Sequence, residues 1–304
     1  MSDTRILKSV ARFATPIRSI LRSSNEESVE FLSWATNYNS NGQQLDELKY
    51  FSDGELEEHH RYSYNQEGQV TLHEVSLPED NIEESFITER NVHGWPISIL
   101  KMYGDDPGEK TMYEYNETGQ PLKIVQFDAD SELDSSEEIN YDSHGNMLER
   151  IINAPSADRP YRKVIFKYNE KNLLVIAEEF DVDNNLVGRH EYAYNDDGLE
   201  IKLIQFNDQG KKTAEVISDY NELGKIIRKV SRGFYTRISN FEYDELGRLI
   251  EESLSDENGF AISRNNFEYN EKGELIGEIV YETDLTRAGR DTHLSYRYEY
   301  SYYN

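Results

Sequence analysis

The sequence predicts an all-β protein: an extended or spirally curved antiparallel β-sheet of about ten tandem β-hairpins, with an N-terminal α-helical cap. Three observations predict it. A Tyr-Asn/Asp-x-x-Gly core returns at a spacing close to 26 residues. Aromatic and apolar residues flank that core at the alternate positions expected of strands. The first 24 residues instead carry apolar side chains at steps of four and three.

The repeat is counted from its Tyr. The anchors are Tyr38, Tyr64, Arg90, Tyr115, Tyr141, Tyr168, Tyr194, Tyr220, Tyr243 and Tyr269, separated by 26, 26, 25, 26, 27, 26, 26, 23 and 26 residues. The residue after each anchor is Asn or Asp, as at Asn65, Asn116, Asp142, Asn195, Asp244 and Asn270. Such a side chain bonds to the backbone two residues on and opens a turn. Three residues later stands Gly, as at Gly68, Gly119, Gly145, Gly198, Gly247 and Gly273. Gly suits the left-handed position that ends a type I turn in a G1 bulge. One copy has Asn172 in that place, the non-Gly residue that best accepts a positive φ.

The strands follow from what flanks the turn. Two residues before the anchor stands Tyr62, Tyr113, Phe166, Tyr192, Phe241 or Phe267, which shares a strand face with the anchor. Three residues past the Gly an apolar residue begins the return strand, as at Leu122, Ile201 and Ile250. A second, looser turn closes the repeat, for example at residues 52–54, 207–210 and 256–259. Two turns in about 26 residues leave two strands of roughly eight to ten residues each. Residues 153–161, with Pro155 and Pro160, form a long connection inside the array.

The ends differ. Ile6, Val10, Phe13, Ile17 and Leu21 fall on one face of a helix, and Thr15-Pro16 fits an N-cap and first helical position. Arg5, Lys8, Arg12, Arg18 and Arg22 against Asp3 make residues 1–24 +4, leaving −31 for the rest. This basic amphipathic helix reads as a cap over an open sheet end. The alternative is docking to a membrane surface or a partner. The expected division is thus residues 1–30 as helical cap and 31–304 as repeat domain. Residues 293–304 place Tyr296, Tyr298, Tyr300 and Tyr302 at alternate positions, a closing strand with one aromatic face.

Composition narrows function. The net charge of −27 repels phosphate backbones and favours a basic partner. The chain has no Cys, hence no disulfide framework or thiol chemistry. No apolar run reaches the roughly 18 residues of a membrane span, and no signal-peptide pattern opens the sequence. A cytoplasmic location is expected, with export by a specialised system left open.

The cores, notably Tyr243-Asp244-Glu245-Leu246-Gly247-Arg248-Leu249 and Tyr269-Asn270 with Gly273, resemble the YD repeats of the RHS family. The resemblance runs from Tyr38 to about Tyr281. It implies β-hairpin repeat architecture and a link with bacterial secretion, toxin or surface systems, and it carries over no catalytic residue.

Candidate chemistry is thin. His59 and His60 are adjacent and face opposite sides of a strand, a poor start for a zinc site. Asp128, Asp130, Glu132 and Asp134, and Asp181, Asp183 and Asn185, are similar to calcium loops. Leu133 and Leu186 stand where an EF-hand needs Gly, so turns explain these acids better. No catalytic motif and no cofactor or metal site is expected. The leading expectation is a non-enzymatic protein-binding scaffold, such as an immunity protein or chaperone for a basic toxin or effector. The second is an exported glycan-binding module, and the third a hydrolase. Partner-binding candidates are residues where the repeat departs from itself: Arg90, Trp95, Tyr300, Tyr302 and Tyr303.

Overall fold

The computed structural model describes residues 6–17, 29–155, 161–283 and 292–303. The chain opens with β1 (Leu7–Pro16), β2 (Phe31–Tyr38), β3 (Gln44–Tyr50), β4 (Leu56–Tyr64), β5 (Val70–Leu77) and β6 (Ile82–Arg90). It continues with β7 (Pro96–Tyr103), β8 (Asp106–Tyr115), β9 (Pro121–Phe127), β10 (Leu133–Tyr141), β11 (Met147–Asn153) and β12 (Tyr161–Tyr168). Next come β13 (Leu174–Phe180), β14 (Leu186–Tyr194), β15 (Glu200–Asn207), β16 (Lys212–Tyr220) and β17 (Ile226–Arg232). The last are β18 (Thr236–Tyr243), β19 (Leu249–Asp256), β20 (Ala261–Tyr269), β21 (Leu275–Glu282) and β22 (Thr292–Tyr302).

All belong to one 22-stranded sheet. The chain divides into two units: Met1–Ile87 with Tyr103–Asp105 and Ser239–Asn304, and Thr88–Met102 with Asp106–Ile238. In the second unit β8 to β17 form an unbroken antiparallel meander. In the first, β2 to β6 and β19 to β22 do the same, and β1 joins the two runs by pairing with both β2 and β22.

That junction corrects two expectations. The α-helical cap is absent among the described residues, where Leu7–Pro16 is a strand. The sheet is also not an open or spiral one: its first and last strands are hydrogen-bonded to each other. In topology it is a closed antiparallel sheet, a barrel. By pairing with both, β1 satisfies the backbone groups that β2 and β22 would otherwise present as edges, the task assigned to the helix. Of the remaining helix-face residues, Leu21 lies outside the described residues.

Local burial shows why the strand wins. Val10 and Ala14 face the tyrosines of β22, opposite Tyr300 and Tyr296, and are 7% and 1% exposed. The guanidinium of Arg12, between them on the same face, lies 4.5 Å from the Tyr296 ring centre. On the other face Arg297 covers the Phe13 ring at 4.4 Å, and the Ser9 and Ser301 hydroxyls are 2.6 Å apart. Most other strand residues are half-buried on both faces. The deep apolar positions are isolated points such as Ile139, Ala177 and Val230. Cross-strand neighbours and the backbone ladder therefore carry the stability.

Candidate functional site

Each repeat ends its first strand in the same turn. In the Asn65 copy, the Asn65 N–H donates to the Gln69 carbonyl at 3.0 Å and the Gly68 N–H to the Asn65 carbonyl at 3.1 Å. The Asn65 Oδ1 accepts from the Gln69 N–H at 2.8 Å. Asn116, Asp142, Asn195, Asp244 and Asn270 make the same contact to the residue four on. Gly68, Gly119, Gly145, Gly198, Gly247 and Gly273 have φ between 74° and 85°, and Asn172 takes 59°. The pairing register shifts beside the anchor, as between Ser63 and Tyr64, which is the bulge that such a turn makes.

The anchors tie one repeat to the next. The Tyr64 hydroxyl donates to the Gln44 carbonyl at 2.6 Å, twenty residues back, and Tyr141, Tyr194, Tyr220 and Tyr269 reach Pro121, Leu174, Glu200 and Leu249 alike. A second tie uses the residue after the turn Gly. Gln43 and Gln120 donate to the carbonyls of Gly68 and Gly145 in the next turn, and Leu173 and Leu199 lie against Gly198 and Gly224.

These ties account for the residues singled out by departure from the repeat. Trp95 occupies the second-tie position: its ring lies over Gly119, near Tyr115, and stacks on His93 at 4.9 Å. Arg90 donates to the Gly94 carbonyl at 3.0 Å, within its own turn. Tyr300 donates to the Leu275 carbonyl at 2.8 Å, Tyr302 to the Glu274 carboxylate, and Tyr303 to the Tyr38 carbonyl at 2.6 Å. The acidic turns are likewise occupied. Asp128 Oδ1 accepts from the N–H groups of Asp130 and Glu132, and Asp181 Oδ1 from those of Asp183 and Asn185.

One cluster exceeds what the repeat requires. On the anchor face of β3 to β6 the register sets Lys49 opposite Glu58, Glu47 opposite His60, Tyr62 opposite His73, and His73 opposite Phe86. Lys49 Nζ contacts Glu58, whose other oxygen lies 2.8 Å from His60 Nε2. His60 Nδ1 is 2.8 Å from His73 Nε2. The His60 ring thus bridges the Glu58 carboxylate and the His73 ring, one nitrogen to each. Tyr62, His73 and Phe86 stack at 4.6 and 5.5 Å, and Trp34 donates to Glu47 at 3.1 Å. Burial, then the neighbouring His60, lowers the His73 pKa, and burial raises that of Tyr62. The Lys49 bond holds Glu58 below the usual carboxylate range. The result is a three-ring platform rimmed by two carboxylates and an ammonium.

Adjacency in sequence showed that His59 and His60 part company, and His59 does turn to the other face, 2.8 Å from Asp46. What no local pattern gives is His73 meeting His60, because that depends on the β4–β5 register.

In the second unit Glu215, on the opposite face, is 6% exposed beneath the side chains of Lys202, Lys212 and Arg232, at 3.0, 3.0 and 3.2 Å. Hydrogen bonds from the two lysines hold its pKa down to about 2.

No family model matches the chain, and neither does any curated protein. Among solved structures it is similar to a chain of the Photorhabdus luminescens Tc holotoxin pore, at 13% identity over 93% of this chain and 17% of that one, TM-score 0.45. A chain of the TcdB2-TccC3-Cdc42 structure gives 12% identity over 93% of this chain and 22% of that one, TM-score 0.37. A porin-like protein from Bacteroides uniformis gives 10% identity over 99% and 100% of the two chains, TM-score 0.33. The chain thus spans less than a quarter of the toxin-complex chains it matches.

Proposed function

We propose that the protein is a non-enzymatic repeat scaffold that binds a basic protein partner, as an immunity protein or chaperone does for a toxin or effector. The observation that supports the reading is an excess of 27 negative charges on a sheet whose strands are half-exposed on both faces. The repeated Tyr, Asn, Asp and Gly residues are used in ties and turns, so the acidic excess is what the surface offers a partner. The YD-like cores, best matched at residues 243–249, fit this setting of bacterial toxin and secretion systems.

The test is capture from the source cell on the immobilised chain at low salt, followed by affinity measurement across a salt series. The expected result is a basic protein whose affinity falls steeply as salt rises. A partner bound equally at low and high salt, or none at all, overturns the reading.

The Tyr62–His73–Phe86 stack favours a second reading, glycan binding by ring stacking against sugar faces. A glycan array probed with the protein and with Tyr62→Ala decides it: no glycan lost on substitution means no such site.

A further inference from the structure

The hairpin that breaks the repeat also breaks its charge. Anchors Tyr220 and Tyr243 are 23 residues apart, the shortest spacing of the array. Residues 223–241 between them hold Lys225, Arg228, Lys229, Arg232 and Arg237 and no acid, in a chain of net charge −27. At its tip, residues 233–235, the backbone folds back with the Gly233 N–H on the Tyr235 carbonyl at 3.2 Å. Phe234 and Tyr235 project from it, 93% and 65% exposed, packed edge to face at 4.8 Å. Arg237 covers the Tyr235 ring at 5.2 Å, and no carboxylate pairs with it among the described residues. The turns at 128–132 and 208–211 on this edge are polar and close without an aromatic residue, so two exposed adjacent rings are more than turn chemistry requires.

The complement lies on the same edge of the same unit. Consecutive pairing from β13 to β17 puts the β13–β14 turn four strands from this tip, about 19 Å at 4.8 Å per strand. That turn also lifts an apolar side chain: Val182 is 72% exposed, between Asp181 and Asp183. One turn is thus apolar between acids, and the other is aromatic beside Arg237, with Arg232 on its other side held by Glu215. A pair of patches of this kind on one body is self-complementary under a two-fold axis, because each copy offers what the other lacks.

We propose that a second copy of this chain docks here, the tip at 233–235 of each protomer seated on the 181–185 turn of the other. Phe234 and Tyr235 cover Val182, Arg237 faces Asp183, and the axis passes the β15–β16 turn midway. An anionic membrane fits the tip less well, since a flat surface would also meet the acids of the neighbouring turns, Asp128, Asp130 and Asp208 among them. The surface is distinct from the acidic one assigned to a basic partner and does not depend on that reading.

Sedimentation velocity on the full chain tests this at about 10 and 200 µM protein, in low and in high salt, since mass action governs the dimer fraction. A dimer that grows with concentration and dissociates in high salt is expected, and Phe234→Ser/Tyr235→Ser is expected to leave it monomeric. Asp183→Arg and Arg237→Glu each set like charges in contact and are expected to be monomeric alone. Mixed, they restore opposite charges at both contacts and are expected to form the heterodimer. Circular dichroism matching the unsubstituted chain shows that each variant is folded. A monomer at the higher concentration and low salt overturns the proposal. So does a dimer indifferent to these substitutions, a mixture that fails to associate, or a monomer that instead binds phosphatidylglycerol vesicles through Phe234.

Discussion

The hydroxyl of Tyr300 donates to the carbonyl of Leu275 at 2.8 Å, the tie that Tyr269 makes to Leu249 at 3.0 Å. Tyr300 is therefore an eleventh anchor, and its repeat is assembled from the two ends of the chain, β22 from one and β1 from the other. Ten hairpins and this composite one make the 22 strands. Tyr300→Phe and Tyr269→Phe are each expected to cost about 1 kcal/mol, the net worth of one such hydrogen bond. Urea denaturation checks this, and midpoints unchanged in both variants would show that the ties are incidental.

The sequence carried the repeat because each copy writes its own turn within five residues. Tyr64, Asn65 and Gly68 specify a hairpin with no help from elsewhere. It did not carry the closure, because the partners of Val10 and Ala14 stand some 290 residues away in β22. The helix reading uses Ile6, Val10, Phe13, Ile17 and Leu21. The step of four from Ile6 to Val10 suits a strand face as well as a helix face, whereas the step of three puts Phe13 on the opposite side of the strand, under Arg297. The eleventh copy was hidden for a related reason. Tyr298 and Tyr300 repeat the aromatic pair, but the Asn-x-x-Gly turn that marks the other copies is replaced by the chain ends. The His60–His73 platform was out of reach because cross-strand register decides it.

Gly119 tests the second tie. Its φ is +85°, and an added Cβ would lie 2.7 Å from the Trp95 ring. Gly210 has φ +71° and nothing within 4 Å of that position. Gly210→Ala is expected to cost about 1–2 kcal/mol of backbone strain. Gly119→Ala adds the collision, about 1 kcal/mol or more. Thermal or urea unfolding of both, with and without Trp95→Ala, checks it: the excess at Gly119 is expected to shrink once the indole is removed.

Glu215 sets an acid limit. Its pKa is lowered from 4.5 to about 2 in the folded chain. The unfolded chain therefore binds the proton first, and the stability this group contributes is present above pH 4.5 and lost as pH falls toward 2. The three cations around it are about half exposed, at 41%, 48% and 50%, so solvent screening leaves of the order of 1 kcal/mol. Glu215→Gln is expected to unfold more readily at neutral pH and to flatten the stability curve below pH 4.5. Parallel curves for the two proteins across that window would remove Glu215 as the cause.

His73 acts in a higher window with the same sign. Burial and the adjacent His60 lower its pKa in the folded state, so the unfolded chain takes up this proton first. The contribution is full above the ordinary His value of 6.5 and is lost as pH falls below it toward the lowered folded value. His73→Phe keeps a ring between Tyr62 and Phe86 and removes the titration. The melting temperature of the unsubstituted protein is expected to drop on going below pH 6.5, and that of the variant to drop less. An NMR titration placing His73 at or above 6.5 would contradict this.

Closure makes the strongest demand. Removing residues 1–17 takes away β1 and with it the Val10 and Ala14 contacts, the Arg12 cover on Tyr296 and both ladders that join β2 to β22. The truncated chain then presents β2 and β22 as two bare edges, the template on which sheets grow between molecules. Aggregation is expected, visible as loss of the soluble species in size-exclusion chromatography. Adding residues 1–17 in trans as a peptide is expected to recover part of it, because β1 is a separate strand that joins β2 and β22 by backbone pairing. A truncated chain that stays soluble and unfolds cooperatively at the same urea concentration would show that the sheet does not need its first strand.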